Sequence, residues 1–480
     1  MACNWQQRDS TSTQKLRVLC VFISCKGSNM KSILISRLAF AGLFLSLVQP
    51  VTATDLADIY DLAVHNDPQL AAARASYMAT RETVPQARAG LLPNFSVGGT
   101  TSRTERTVVA LDLTDKFSDH SWQVVLQQPV FRLENWYQFQ QSKNIEAQAL
   151  AQFTAEQQEM IFRVADSYLS ILEANDQLSA TNAERDAVKR QLEQVQQRFD
   201  VGLVAITDVL ESTAAYDSST VNVIESEGLQ VITFVTLLRL TGQSFDSIDA
   251  LDPDFPIEYP EPNDEEAWVQ RALASNYILV AAREGVKAAE RNLSASKSRH
   301  LPTLDAQISY AENVSDAQLN PISAEIEQKS AALLLNIPLY AGGSIRSRSK
   351  QAGYQLQEAM ENYDLAQRTT VENTRTLFTA INTDVARVGA RLRGIESSQS
   401  ALEATQTGYE VGTRNIVDVL LAQQRLYLAQ FQYASARYQY IRDTLRLKQT
   451  VGSLSPQDVY DLNKFITQDR TVDRITPTTR

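Results

Sequence analysis

The chain has 480 residues, with 45 Lys plus Arg against 56 Asp plus Glu, a formal charge of −11 and 44% hydrophobic residues. That composition excludes a disordered chain, and the acidic balance excludes the clustered basic surface that nucleic-acid binding requires. At roughly 100–200 residues per domain, the length alone predicts two to four ordinary domains.

From Met30 the chain reads MKSILISRLAFAGLFLSLVQPVTA. Lys31 and Arg37 supply a basic start, Leu38 to Val48 an apolar run, and Val51-Thr52-Ala53 a small-residue cleavage site. The run is too short for a membrane helix of about 20 residues. Residues 30–53 therefore read as an export signal, and residues 1–29 as an upstream extension. Cys3, Cys20 and Cys25, six basic residues and one acidic residue all fall before Thr54. The exported part, residues 54–480, is then free of cysteine, with a net charge near −16. It uses neither disulfides nor thiolates and must be held by packing. No later stretch approaches 18 continuous apolar residues, so no transmembrane helix is predicted, while a membrane β-barrel stays open because its signal is weak per strand.

Residues 55–91 read as one helix, ended near Pro93. Strand character follows, in Phe95 and Val97 and then in Trp122, Val124 and Leu126. Between Pro129 and Gly202 there is neither Gly nor Pro, which allows one helix of about 65 residues, on the order of 100 Å long. Gly202 marks a turn, and Thr207-Asp208 open a returning helix. Residues 244–265, with Pro253, Pro256, Pro260 and Pro262, read as a linker.

The second half repeats the first at an offset of about 210 residues. Arg198-Phe199-Asp200-Val201-Gly202 returns as Gly408-Tyr409-Glu410-Val411-Gly412. Leu92-Pro93 returns as Leu301-Pro302, and Pro129-Val130-Phe131 as Pro338-Leu339-Tyr340. Leu304, Ala306, Ile308 and Tyr310 alternate with Thr303, Asp305, Gln307 and Ser309, as one strand, and residues 331–339 read as its partner. Polar connections, 104–121 and 311–329, join the strand pairs. Four strands result, and four cannot close a barrel; if they span a membrane, where an open edge is not allowed, several copies must share one. Residues 344–410 can form a second long helix, in which Gly353, Gly389 and Gly394 cost roughly 1 kcal/mol each. Val188, Leu192, Val195 and Phe199, and then Leu420, Tyr427, Phe431, Ala434, Tyr438, Ile441 and Leu445, follow coiled-coil spacing. The domain reading is a first repeat over 54–243, the linker, a second repeat over 266–452 and a tail over 453–480.

The runs Phe199–Asp208, Tyr409–Leu420, His300–Asp305 and Ile337–Gly343 resemble the TolC outer-membrane channel-tunnel family over nearly all of residues 54–455. The resemblance implies a fold mixing a membrane β-barrel with a long α-helical, coiled-coil barrel, built by a homotrimer with twelve shared strands. The linker and tail would belt the tube. It implies an exit duct for efflux and type I secretion, in outer-membrane lipid, served by a periplasmic adaptor and an inner-membrane RND pump or ABC transporter. By position, Thr207, Asp208, Tyr409 and Arg414 match the links that hold the periplasmic entrance shut, and Asp418 an aspartate facing the pore. Gly202-Leu203 and Gly412-Thr413 match the turns that adaptors engage. Capping of helix N-termini is the competing role for Thr207, Asp208 and Asp418. The sequence departs from the family at Leu421, where a second pore aspartate would stand. A periplasmic coiled-coil adaptor or scaffold without a pore is the alternative, and the strand pairs count against it. His65, His120 and His300 are scattered without cysteines, so no zinc site is expected. No phosphate loop or nucleophile elbow points to an enzyme or a cofactor.

Overall fold

The computed structural model describes residues 54–110, 112–317 and 325–475. The expected export signal and extension, the middle of the second polar connection and the end of the tail lie outside them. Ten helices and six strands occur among the described residues. The first predicted helix is three: α1 (Leu56–Asn66), α2 (Pro68–Arg81) and α3 (Thr83–Ala89). Pro68 keeps Asp67 out of helical geometry, at φ −66° and ψ 114°. Asp67 then caps α2, accepting a hydrogen bond from the Gln69 amide at 3.0 Å.

A hairpin follows, β1 (Asn94–Val108) and β2 (Leu113–Phe131), and then α4 (Leu133–Asp200) and α5 (Ile206–Thr241). After β3 (Ser247–Leu251) come α6 (Glu265–Ser275), α7 (Tyr277–Ser298), and a second hairpin of β4 (Thr303–Ser315) and β5 (Ile326–Asn336). The chain closes with α8 (Ser344–Glu410), α9 (Ile416–Thr450), α10 (Pro456–Asn463) and β6 (Ile466–Asp473). The strands run further into the polar connections than expected, and the first ladder ends at the Val108–Leu113 pair. Pro338 lies outside β5, whose ladder ends at the Thr303–Asn336 pair, because proline has no N–H to give it.

The two long helices carry 68 and 67 residues, about 100 Å each. Gly353, Gly389 and Gly394 sit inside α8 without interrupting it. Val188, Leu192, Val195 and Phe199 of α4 pack as predicted, against α5 and α9. Higher up, ion pairs lace α4 to α9: Arg442 reaches Asp166 and Glu173, both at 2.7 Å. One helix, α5, is long and apolar enough by composition to cross a membrane. Its Gln230 is buried and bonded to Asp473 O and the Ile475 amide, at 3.0 and 3.1 Å, so α5 is tied into the helical body.

β1, β2, β4 and β5 form one antiparallel sheet in that order. Phe95, Leu126, Ile308 and Ala331 face one another across all four strands, and Val97, Val124 and Tyr310 form the next row. Most of this apolar face is exposed, and β5 is exposed throughout. The outward edges of β1 and β5 have no partner strand among the described residues. Where the strands meet the helices, Arg132 makes a two-point contact with buried Asp305, at 2.7 and 2.6 Å, joining the two halves.

Two strands were not anticipated: β3 in the Pro-rich segment pairs with β6 in the tail. SIDAL has only five residues and ITQDRTVD is largely polar, so neither carries a clear alternation. They close a core around the middle of α4 in which Tyr168 is fully buried and donates to the Asp249 carbonyl.

Two predictions follow from this packing. Gly452, at φ +72°, leaves no room for a side chain, since a Cβ would stand 2.3 Å from the Ser275 carbonyl oxygen. Gly452→Ala should therefore lower the thermal midpoint clearly, and an unchanged melt would contradict the contact. Asp384 of α8 is buried beside Arg387 at 2.9 Å. Burial pushes its carboxyl from 3.8 up to about 6, the facing Asp443 adds to this, and Arg387 opposes it. The fold holds this proton where the unfolded chain has released it, so stability should fall between about pH 4 and 6. Asp384→Asn should be stabler than wild type at pH 8 and indistinguishable near pH 4, as read by thermal melts across that range.

Candidate functional site at the helix-turn tips

The two long helices end in the same turn. In the first, the Leu203 amide bonds Arg198 O and the Gly202 amide bonds Phe199 O, both at 2.8 Å. In the second, the Thr413 amide bonds Gly408 O at 2.8 Å and the Gly412 amide bonds Tyr409 O at 3.1 Å. Both are Schellman turns, in which one residue takes the left-handed conformation that glycine adopts without strain. Gly202 has φ +78° and Gly412 φ +80°. The tips project apolar side chains into solvent: Val201 is 69%, Leu203 72% and Val411 70% exposed.

A shared apolar cluster joins the tips, although about 210 residues separate them in sequence. Val188, Val195 and Val209 of the first hairpin pack with Ile416 and Leu420 of the second. Tyr409 packs against this cluster, and the Arg198 guanidinium lies 5.1 Å from its ring centroid. The Tyr409 hydroxyl is buried with no hydrogen-bond partner. Thr207 and Asp208 occupy the first turn of α5, behind the cap residue Ala205, and neither side chain caps it. The Asp208 carboxylate makes no hydrogen bond or ion pair with the described residues.

Arg414 does not reach Thr207 or Asp208 in this chain. It stands 3.9 Å from Asp418, one turn along α9, and its side chain is 62% exposed. Asp418 serves as a cap as well: its amide bonds Asn415 Oδ1 at 2.8 Å and its carboxylate accepts from the Asn415 amide at 3.3 Å. The capping role and the exposed position coexist in one residue. Leu421, a turn further, is exposed on the same face. The structure thus brings Tyr409 to the α4–α5 hairpin and Arg414 to Asp418, but makes none of the expected side-chain links between Thr207 or Asp208 and the second tip. Two participants were missed. Asn415, three residues before an acid at a helix start, is a capping signal that was legible. Arg198 above Tyr409 had no such signal, because only the fold sets one repeat's tip against the other's.

Residues 59–243 and 268–453 match the family described as outer membrane efflux protein. The chain belongs to that family, a class of outer-membrane channels whose helices extend into the periplasm. Among individual proteins, it is 36% identical over 422 residues to Outer membrane protein TolC of Vibrio cholerae, covering 87% of this chain and 95% of that one. It is 27% identical over 431 residues to Alkaline protease secretion protein AprF of Pseudomonas aeruginosa, covering 88% and 89%. The crystal structure of the outer membrane protein VceC from Vibrio cholerae superposes with a TM-score of 0.72 at 17% identity, covering 83% of this chain and 96% of that one.

Proposed function

We propose that three copies of this chain form an outer-membrane exit duct for efflux and type I secretion, gated at the helix-turn tips. The observation that carries this reading is the four-stranded sheet with an exposed apolar face and two edges unpaired among the described residues. An open edge in lipid leaves N–H and C=O groups unsatisfied at several kcal/mol each, so β1 of one copy must meet β5 of the next. Two copies would give eight strands, a barrel whose interior side chains fill, whereas three give twelve and a lumen. The exposed apolar residues of α5, among them Val221, Ile232 and Val235, then pack against the next copy. Residues 244–265 and 453–475 form a belt around the tube.

The entrance closes through links between the coiled coils. Tyr409 brings a buried hydroxyl without a partner, Asp208 a free carboxylate, and Arg414 an exposed guanidinium. An exposed pair of this kind contributes about 1 kcal/mol, strong enough in threefold repeat to hold a gate and weak enough to be opened by docking. The apolar tips at Gly202-Leu203 and Gly412-Thr413 suit the helical hairpin of a periplasmic adaptor, which couples the duct to an inner-membrane RND pump or ABC transporter. The relatives are named for channels and secretion, and the chain works as a conduit without catalysis or cofactor.

In planar bilayers, Tyr409→Phe and Arg414→Ala should each raise single-channel conductance several-fold; wild-type conductance in both would remove them from the gate. With one aspartate ring at Asp418 instead of two, hexamminecobalt(III) should block the wild type weakly. Leu421→Asp should tighten that block, and an equal block of both proteins would show that Asp418 and Leu421 do not face the pathway.

A further inference from the structure

Near the tip, α9 is covered on one side only. Ile416, Val419, Leu420, Ala422, Gln423 and Leu426 are buried against α8 and the α4–α5 hairpin. The opposite face, with Val417, Leu421, Arg425 and Leu428, is exposed. Arg425 lies seven residues beyond Asp418, which stacks the two on one face about 10 Å apart. Their surroundings differ. Asp418 has Arg414 at 3.9 Å, whereas Arg425 has no ion-pair or hydrogen-bond partner among the described residues.

A second cation extends the line. Arg391 of α8 is exposed and donates to Gln432 of α9, seven residues past Arg425, so it emerges on this same side of the seam. Glu396 and Glu403, the acids of α8 at this level, are turned away from Arg391 by about 120–140° around the helix. The next cation, Arg387, is held by Asp384 at 2.9 Å. Along the open face the charges therefore run Arg414, Asp418, Arg425 and Arg391. The single carboxylate has a cation beside it, and neither of the two arginines deeper along the seam makes an ion pair with a described residue.

We propose that Arg425, backed by Arg391, forms an anion-selective ring just inside the entrance, and that it binds small polyvalent anions on their way through the duct. This rests on the reading that a trimer lines its entrance with the exposed face of α9. Three guanidiniums around a narrow axis would focus a positive potential, and each offers the planar two-point geometry that phosphate and carboxylate groups accept. Leu421, lying between Asp418 and Arg425, adds no charge to oppose them. The constriction is then acidic at its lip and basic behind it.

Single-channel recordings across a KCl gradient test this, with tripolyphosphate added on the side of the helical domain. Wild type should lean toward chloride and be blocked by tripolyphosphate. Arg425→Gln should swing the permeability ratio several-fold toward potassium and relieve the block. Arg425→Lys should keep the selectivity but bind tripolyphosphate less tightly. Channels of Arg425→Gln with unchanged reversal potential and unchanged block would overturn the proposal while leaving the conduit reading intact. Should Arg425→Gln not assemble, Arg391→Gln should move both readouts the same way by a smaller amount, and no movement there would equally overturn it. A wild-type protein that forms no conducting channel would instead refute the conduit itself, and this inference with it.

Discussion

Hydrogen-bond satisfaction of the backbone in lipid is the constraint on which the rest of this molecule depends. Within one chain, β1, β2, β4 and β5 satisfy one another only on their inner edges, while Phe95, Ile308 and Leu333 expose a face with no core behind it. Water cannot satisfy the outer edges at membrane depth, so the proposed trimer is what makes the sheet tenable. The connection between sheet and helices is also electrostatic: Arg132 just before α4 grips Asp305 in β4, which ties a helix of one repeat to a strand of the other.

Below that junction the structure relies on length and repetition. Helices of 68 and 67 residues bury little per residue, and ion pairs such as Arg442 with Asp166 and Glu173 supplement the apolar seam between α4 and α9. The elements α1, α6, α10, β3 and β6 pack around the middle of α4, where the largest buried cluster lies. The tips are different. Their cluster is small, Tyr409 keeps an unanswered hydroxyl, and Arg414 and Arg425 stand in solvent. A region with few buried contacts and unpaired polar groups is where movement costs least, which suits a gate.

Much of this was legible beforehand for a specific reason. A duplication doubles every local signal, so the turns at Gly202 and Gly412 corroborate each other. The absence of proline between Pro129 and Gly202 leaves a long helix as the plain outcome. The break at Asp67–Pro68 was legible too, since a residue before proline avoids helical geometry, yet the Ala-rich flanks hid it. The strands β3 and β6 were not, because Ile248 and Val472 acquire their apolar role only when segments some 220 residues apart are paired.

By itself the sequence determined two long helices, two strand pairs and their turns, and the motif runs at the turns and strand ends carried the resemblance to a family of outer-membrane channels. These are properties of neighbouring residues, governed by backbone propensity and the spacing of apolar side chains. Tertiary structure alone decided what lies beside what. It set Arg198 over Tyr409, gave Arg414 to Asp418 rather than to Asp208, and left Arg425 without an ion-pair partner among the described residues. Such pairings depend on the rotation of one helix against another, and a side chain's partner across a packed seam is not encoded in its own neighbourhood.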